Sequence, residues 1–145
     1  MARTITSANA IITLTIPGIF SAPKTLQQFS VDDIFGTDPL QLVEVQMGVD
    51  GIQSQGFVNV STKQNYSLMA NSPSCDIFDD WANAMRTAIE AYSALGTITL
   101  TSIGKKYNLT DGALTSYPPM ADGGRTLKPR KFEITWGQVL PVALV

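Results

Sequence analysis

A mainly β fold of about six to eight strands, with one amphipathic α-helix over about residues 75–95, is what the chain predicts. Three observations carry that expectation. Most segments alternate apolar and polar residues with a period of two, the pattern of half-buried strands. One segment, beginning at Ile77, instead repeats at spacings of three and four. The length of 145 residues suits one domain, residues 1–145, with room for a sizeable core.

The elements follow in order. In Asn9–Ile16, the residues Ala10, Ile12, Leu14 and Ile16 share a face, with Thr13 and Thr15 opposite, and Pro17-Gly18 punctuates the end. Lys24–Ile34 is a weaker, polar strand closed by Gly36-Thr37-Asp38-Pro39. Leu40–Met47 is rich in Val and Leu, and residues 48–56 form a turn or extended loop around Asp50-Gly51. Phe57–Thr62 and Tyr66–Met69 continue as strand. Ser72-Pro73-Ser74 offers capping hydroxyls and a proline suited to a first helical turn. The helix follows, its core face carrying Ile77, Trp81, Met85 and Ile89, with Asp76, Asp79 and Asp80 near the positive end of its dipole and Gly96 as C-terminal cap. Thr97–Ile103 and Tyr107–Leu109 form a hairpin through Gly104-Lys105. Residues 111–130 have Gly, Pro, Asp and Arg without a period and read as a long surface loop. Lys131–Trp136 closes the fold, with Phe132, Ile134 and Trp136 inward.

Composition narrows the function. With 44% hydrophobic and only 15% charged residues, the chain has less charged surface than usual, and association with copies of itself is one way to hide the rest. A net charge of −2 provides no basic field for nucleic acid. The absence of histidine removes every triad, metal site and proton shuttle built on imidazole. A single cysteine, Cys75, excludes an internal disulfide and a Cys-cluster metal site, and its acidic neighbours oppose thiolate formation. Apolar stretches fall far short of the ~20 residues that span a bilayer. Ala8–Ile16 is interrupted by Thr13 and Thr15 and leads to no cleavage site, so synthesis in the cytoplasm is the expectation.

No chemistry assembles from what remains. Asp32-Asp33 reads as a solvated turn, and the acidic cluster at 76–80 as charge compensation of a helix start, although both could in principle serve hard cations. The stretch from Gly96 to Gly104-Lys105 lacks the spacing of a phosphate loop. Arg125, Lys128, Arg130 and Lys131 form the densest basic run, but the neighbouring aromatics Phe132 and Trp136 point inward and supply no stacking platform. An acidic neighbouring subunit suits that run better than nucleic acid. The expectation is a non-enzyme without metal or cofactor.

Taken together, the order of parts resembles the tube proteins of contractile phage tails, in their small-tube branch, across nearly the whole chain. The resemblance rests on an N-terminal strand, then the Gly48-Val-Asp-Gly51 turn within β structure. Next comes the run Tyr66-Ser-Leu-Met-Ala-Asn-Ser-Pro-Ser74 leading into a helix with Trp81. A return to β after Gly96, a Gly/Pro loop and a closing strand at Phe132–Trp136 complete it. It implies a β-sandwich or barrel with one flanking helix, six-subunit rings stacked into a tube, and DNA passing through the lumen only as cargo at ejection. The tail sheath, baseplate and tail-terminator proteins would be its partners and the virion tail its location, after assembly in the host cytoplasm. Within such a stack, Asp32, Asp33 and Asp50 are expected to meet Arg125, Lys128 and Arg130 across the ring junction. A single-ring tail or baseplate protein and a type VI secretion tube subunit would share the same pattern. A monomeric β-sandwich binding module is the rival of another class, with Tyr117 beside Pro118-Pro119 as its exposed aromatic.

Overall fold

The computed structural model describes residues 10–30 and 34–143. Among them the chain forms β1 (Ala10–Ile16), β2 (Phe20–Thr25), β3 (Phe35–Thr37), β4 (Val43–Met47), β5 (Gln53–Phe57) and β6 (Thr62–Leu68). The helix α1 (Cys75–Ala88) follows, then β7 (Ala94–Leu100), β8 (Lys105–Ser116), β9 (Arg130–Trp136) and β10 (Gln138–Ala143). The fold is mainly β with one helix, as the two periodicities predict, but it has ten strands instead of six to eight.

One antiparallel sheet runs in the order β2-β1-β7-β8-β9-β6-β3, with β10 also paired to β8. It is not a closed barrel, because the outermost strands β2 and β3 do not pair. The two halves meet at β8. Residues up to Thr110 pair with β7 and β10, Gly112 still opposes Ala94 of β7 across a bulge, and Ala113 and Leu114 pair with β9. The switch falls where Asp111 adopts a left-handed φ of 54°, a conformation aspartate tolerates better than most residues. The Gly137 N–H donates to the carbonyls of both Thr110 (3.0 Å) and Asp111 (3.1 Å), so the β9–β10 junction wraps this corner.

The bend folds the two halves over a common core. Ile12, Leu14 and Ile16 of β1 and Ile98 of β7 face Tyr66 and Leu68 of β6 and Phe132, Ile134 and Trp136 of β9. Trp136 binds the halves together: its indole lies where a Cβ on Gly112 would stand 2.5 Å away and one on Gly96 3.1 Å away. Only glycine permits that approach, so Gly96 is a packing residue within β7 and not the helix cap the sequence predicts. The Trp136 Nε1–H donates to the Tyr66 hydroxyl at 3.2 Å, and that hydroxyl donates to Gln64 Oε1. Gln64 Nε2 in turn donates to Thr37 Oγ1 at 2.9 Å. A polar chain thus crosses the core with its members satisfied, and burial pushes the Tyr66 phenol well above its ordinary pKa.

The helix covers one end of this core. Ile77, Phe78, Trp81 and Ala82 are buried, Met85 packs half-buried against the core, and Phe78 stacks on Phe132 with ring centres 4.1 Å apart. The Trp81 Nε1–H donates to the Tyr92 carbonyl at 2.9 Å. Ile89 departs from its expected core position. The helix ends at Ala88, seven residues short of the expected 95, and Ile89 forms its left-handed cap at φ 53° with 90% of its surface exposed. That turn rotates the side chain off the buried stripe. At the other end the serines do not cap in the expected manner: Ser74 makes no side-chain cap bond. Its Oγ accepts from the Gln27 N–H at 2.7 Å, and Ser72 Oγ donates to the Gln27 carbonyl. Together they tie the helix start to the segment after β2.

Two strand expectations shift. The polar strand expected at Lys24–Ile34 is replaced by β2 (Phe20–Thr25), with residues 31–33 of that stretch outside the described residues. The strand expected at Phe57–Thr62 is broken, since Phe57 ends β5, 58–61 lie in no strand and β6 begins at Thr62. β10, beyond the closing strand expected at Lys131–Trp136, pairs with β8 alone among the described strands and carries Pro141, a residue that sheets accept at their edges.

Candidate assembly interface

β4 and β5 form a hairpin that pairs with no other described strand, in register from Val43↔Phe57 to Met47↔Gln53. The residues between them make a tight turn. Gly51 takes φ 85°, Gly48 N–H donates to the Ile52 carbonyl at 2.8 Å, and the Asp50 carboxylate accepts from Ile52 N–H at 3.1 Å. The expected loop over 48–56 is therefore shorter, since β5 occupies 53–57. Every residue of both strands is exposed. Val43, Val45, Met47, Val49, Ile52 and Phe57 stand in water, with Phe57 75% and Val49 fully accessible. Contiguous apolar surface of this kind marks an interaction site in a folded protein. At the hairpin root, Leu42, Phe57 and Val60 face Leu140 of edge strand β10 across a groove of about 390 Å³.

The second feature is the segment 117–129. Expected as a loop over 111–130, it is shorter because β8 continues to Ser116. Both of its ends are fixed by one carboxylate on the helix. Asp79 accepts from Arg130 at 2.9 Å, in the only ion pair among the described residues, and from the Tyr117 hydroxyl. The same Arg130 nitrogen donates to the Pro118 carbonyl at 2.7 Å, and the guanidinium lies 4.9 Å from the Phe132 ring centre. Burial alone would raise the Asp79 carboxyl, but the hydrogen bonds from Arg130 and Tyr117 and the Arg130 charge bring it below its ordinary value. Burial and the bond to Asp79 raise the Tyr117 phenol. Burial also pushes up the Cys75 thiol, against the pull of the nearby Arg130 charge.

These placements revise the residues expected at a ring junction. Arg130 is only 7% exposed and satisfies its own chain, so it is not a surface contact; the aromatic rings and Asp79 draw it inward. Tyr117, the aromatic expected for a binding module, is half-buried with its hydroxyl engaged. Arg125, Lys128 and Asp50 are exposed, and Asp32 and Asp33 lie outside the described residues. The structure does not bring Asp50 and the basic run together. In the β6–β9 pair, Thr62 opposes Trp136 at one end and Leu68 opposes Arg130 at the other. The hairpin leads into Thr62 and the 117–129 segment into Arg130, so the two features leave opposite ends of one strand pair, about 20 Å apart at ~3.3 Å per residue. Among the described residues no three potential metal ligands converge, and no described helix is long and apolar enough to cross a membrane.

Beneath the 117–129 segment lies a cleft of about 440 Å³. Pro118, Met120 and Pro129 supply apolar walls, and Lys128 and Lys131 line it together with one carboxylate among the described residues, Asp122. The Lys128 N–H donates to the Asp122 carbonyl at 2.9 Å and closes the segment on itself.

The family model described as tail fiber protein gp32 matches residues 3–140. No curated protein matches the sequence. Among solved structures, a chain of the anti-feeding prophage baseplate superposes with a TM-score of 0.62 at 14% identity, covering 99% of both chains. A chain from the sheath/tube terminator of PVC, an extracellular contractile injection system, in its extended state gives 0.63 at 14% identity and again 99% of both. One from the PVC sheath–tube complex gives 0.61 at 15% identity, covering 97% of this chain and 92% of that one. At such identities the likeness is one of fold.

Proposed function

The chain belongs to the tail fiber protein gp32 family, and from that membership we propose that it is a non-enzymatic structural protein of a contractile phage tail. Its copies form homohexameric rings that stack into the inner tube, with sheath, baseplate and terminator proteins as neighbours and DNA as passing cargo. The observation that carries this reading is the fully exposed apolar hairpin β4–β5, which a monomer would leave in water. The outer edges of β2, β3 and β10, unpaired among the described strands, add backbone for neighbours to complete. The family description names a fibre. A fold shared along the full chain with baseplate, terminator and sheath–tube components favours a part of the tail axis instead.

Sedimentation and negative-stain electron microscopy of the purified protein test the proposal. Six-fold rings that lengthen into hollow tubes are expected. Rings that never stack would assign the chain to a single-ring tail component, and a monomer at every concentration would overturn the assembly reading.

A further inference from the structure

We propose that the tip of the β4–β5 hairpin of one copy seats in the cleft beneath the 117–129 segment of a copy in the next ring. The proposal rests on the stacked-ring reading above and adds the contact that joins one ring to the next. Four observations lead to it. The hairpin root and the cleft leave opposite ends of the same β6–β9 strand pair, and the structure brings no tip residue into the cleft of its own chain, whereas a head-to-tail neighbour can supply one. Such a heterologous contact, repeated along the axis of the proposed stack, extends it without closing a ring.

The surfaces also match. The tip carries Val49, fully exposed, and one carboxylate, Asp50, between Gly48 and Gly51, which keep it narrow. The cleft offers Pro118, Met120 and Pro129 to the valine, and among the described residues two lysines against one aspartate leave its lining net cationic toward Asp50. No ion pair occupies Lys128, Lys131 or Asp50 within the chain among the described residues.

Finally, the receiving surface is already formed in the free subunit. Asp79, Arg130 and Tyr117 hold both ends of the 117–129 segment, so little further ordering is needed when the tip arrives. Charge at this site acts on orientation and register more than on bulk affinity.

A charge-swap experiment reads the contact directly. Asp50→Lys alone, and Lys128→Glu with Lys131→Glu, should each give rings that fail to lengthen, while circular dichroism stays unchanged. All three side chains are exposed, and the backbone bonds from Gly48 N–H to Ile52 and from Gly51 N–H to Gly48 still hold the turn when the Asp50 bond to Ile52 is lost. Mixing the two variants should restore tubes, since each tip then meets a cleft of opposite charge. An Asp50→Cys, Lys128→Cys protein should also cross-link into ladders between rings under mild oxidation. Normal tubes from Asp50→Lys, or variants that stall and are not rescued by mixing, would overturn the tip-in-cleft contact while leaving ring stacking intact. A wild-type protein that never stacks would overturn the assembly reading itself, and this contact with it.

Discussion

Asp79 does more than its place on the helix announces. Three aspartates near a helix start satisfy the dipole, and that reading suffices for Asp76 and Asp80. Only the fold brings Arg130 and Tyr117, 51 and 38 residues away in sequence, onto the remaining one. No local pattern encodes a partner at that separation, which is why Arg130 reads as part of a basic surface run. Asp79 has its pKa depressed in the folded chain, so the folded state binds fewer protons than the unfolded one in acid. Its contribution is therefore complete above the unfolded value of about 4 and is lost as pH falls through the folded value. Urea midpoints measured from pH 7 to pH 2 should fall below about pH 4, and Asp79→Asn should flatten that fall. Asp79→Ala should cost about 2–3 kcal/mol at neutral pH. It leaves the Arg130 charge buried without a counterion, and the part-exposed carboxylate keeps the loss below that of a fully buried pair.

At the level of elements, period-two alternation located the buried faces of β1 and β9, because strands covered on one side write that cover into every second residue. It could not say what covers β4. Val43, Val45 and Met47 alternate as a core strand would, yet the chain provides nothing to lie on them. The helix stripe was legible through Trp81 and Met85 and failed at Ile89, where a left-handed turn replaces the expected last turn. Two substitutions separate these cases. Trp81→Ala should lower stability by roughly 3–5 kcal/mol in denaturant unfolding, since it empties a site with no exposed surface and frees the Tyr92 carbonyl. Ile89→Gly should do the reverse. A β-branched residue at φ 53° is strained, and glycine there should stabilise by about 1 kcal/mol and raise Tm by about 2–4 °C.

For the whole molecule, the apolar surface divides into one part folded away and another that remains on display. The first sets the stability of the subunit, and the second contributes little to it. Replacing Val45 by Thr and Phe57 by Ser should leave thermal unfolding within about 1 °C of wild type, as surface changes away from the core do. The same protein should sediment as a smaller species at concentrations where the wild type assembles. A large fall in Tm would instead show that the hairpin packs on its own chain. Sequence composition anticipated the sum of this surface, through its low charge, without showing where it lies.

The long reach of the strand pairings has a consequence for the order of events during synthesis. The hairpin is local, with Met47 beside Gln53, and can form within about 1–10 μs of emerging from the ribosome. The cleft cannot. It needs Arg130 and Lys131, which follow the tip by roughly 80 residues, or roughly 4–16 s of translation at 5–20 residues per second. β1 likewise waits for β7, and β6 for β9, and until then each has a single neighbour, β2 and β3. A growing chain therefore displays a tip but no finished receptacle, so nascent copies cannot link to one another head to tail. Under the proposed contact, stacking is open only to a subunit whose last strands are made and folded, and the position of the cleft late in the chain would act as a completeness check on every copy that joins.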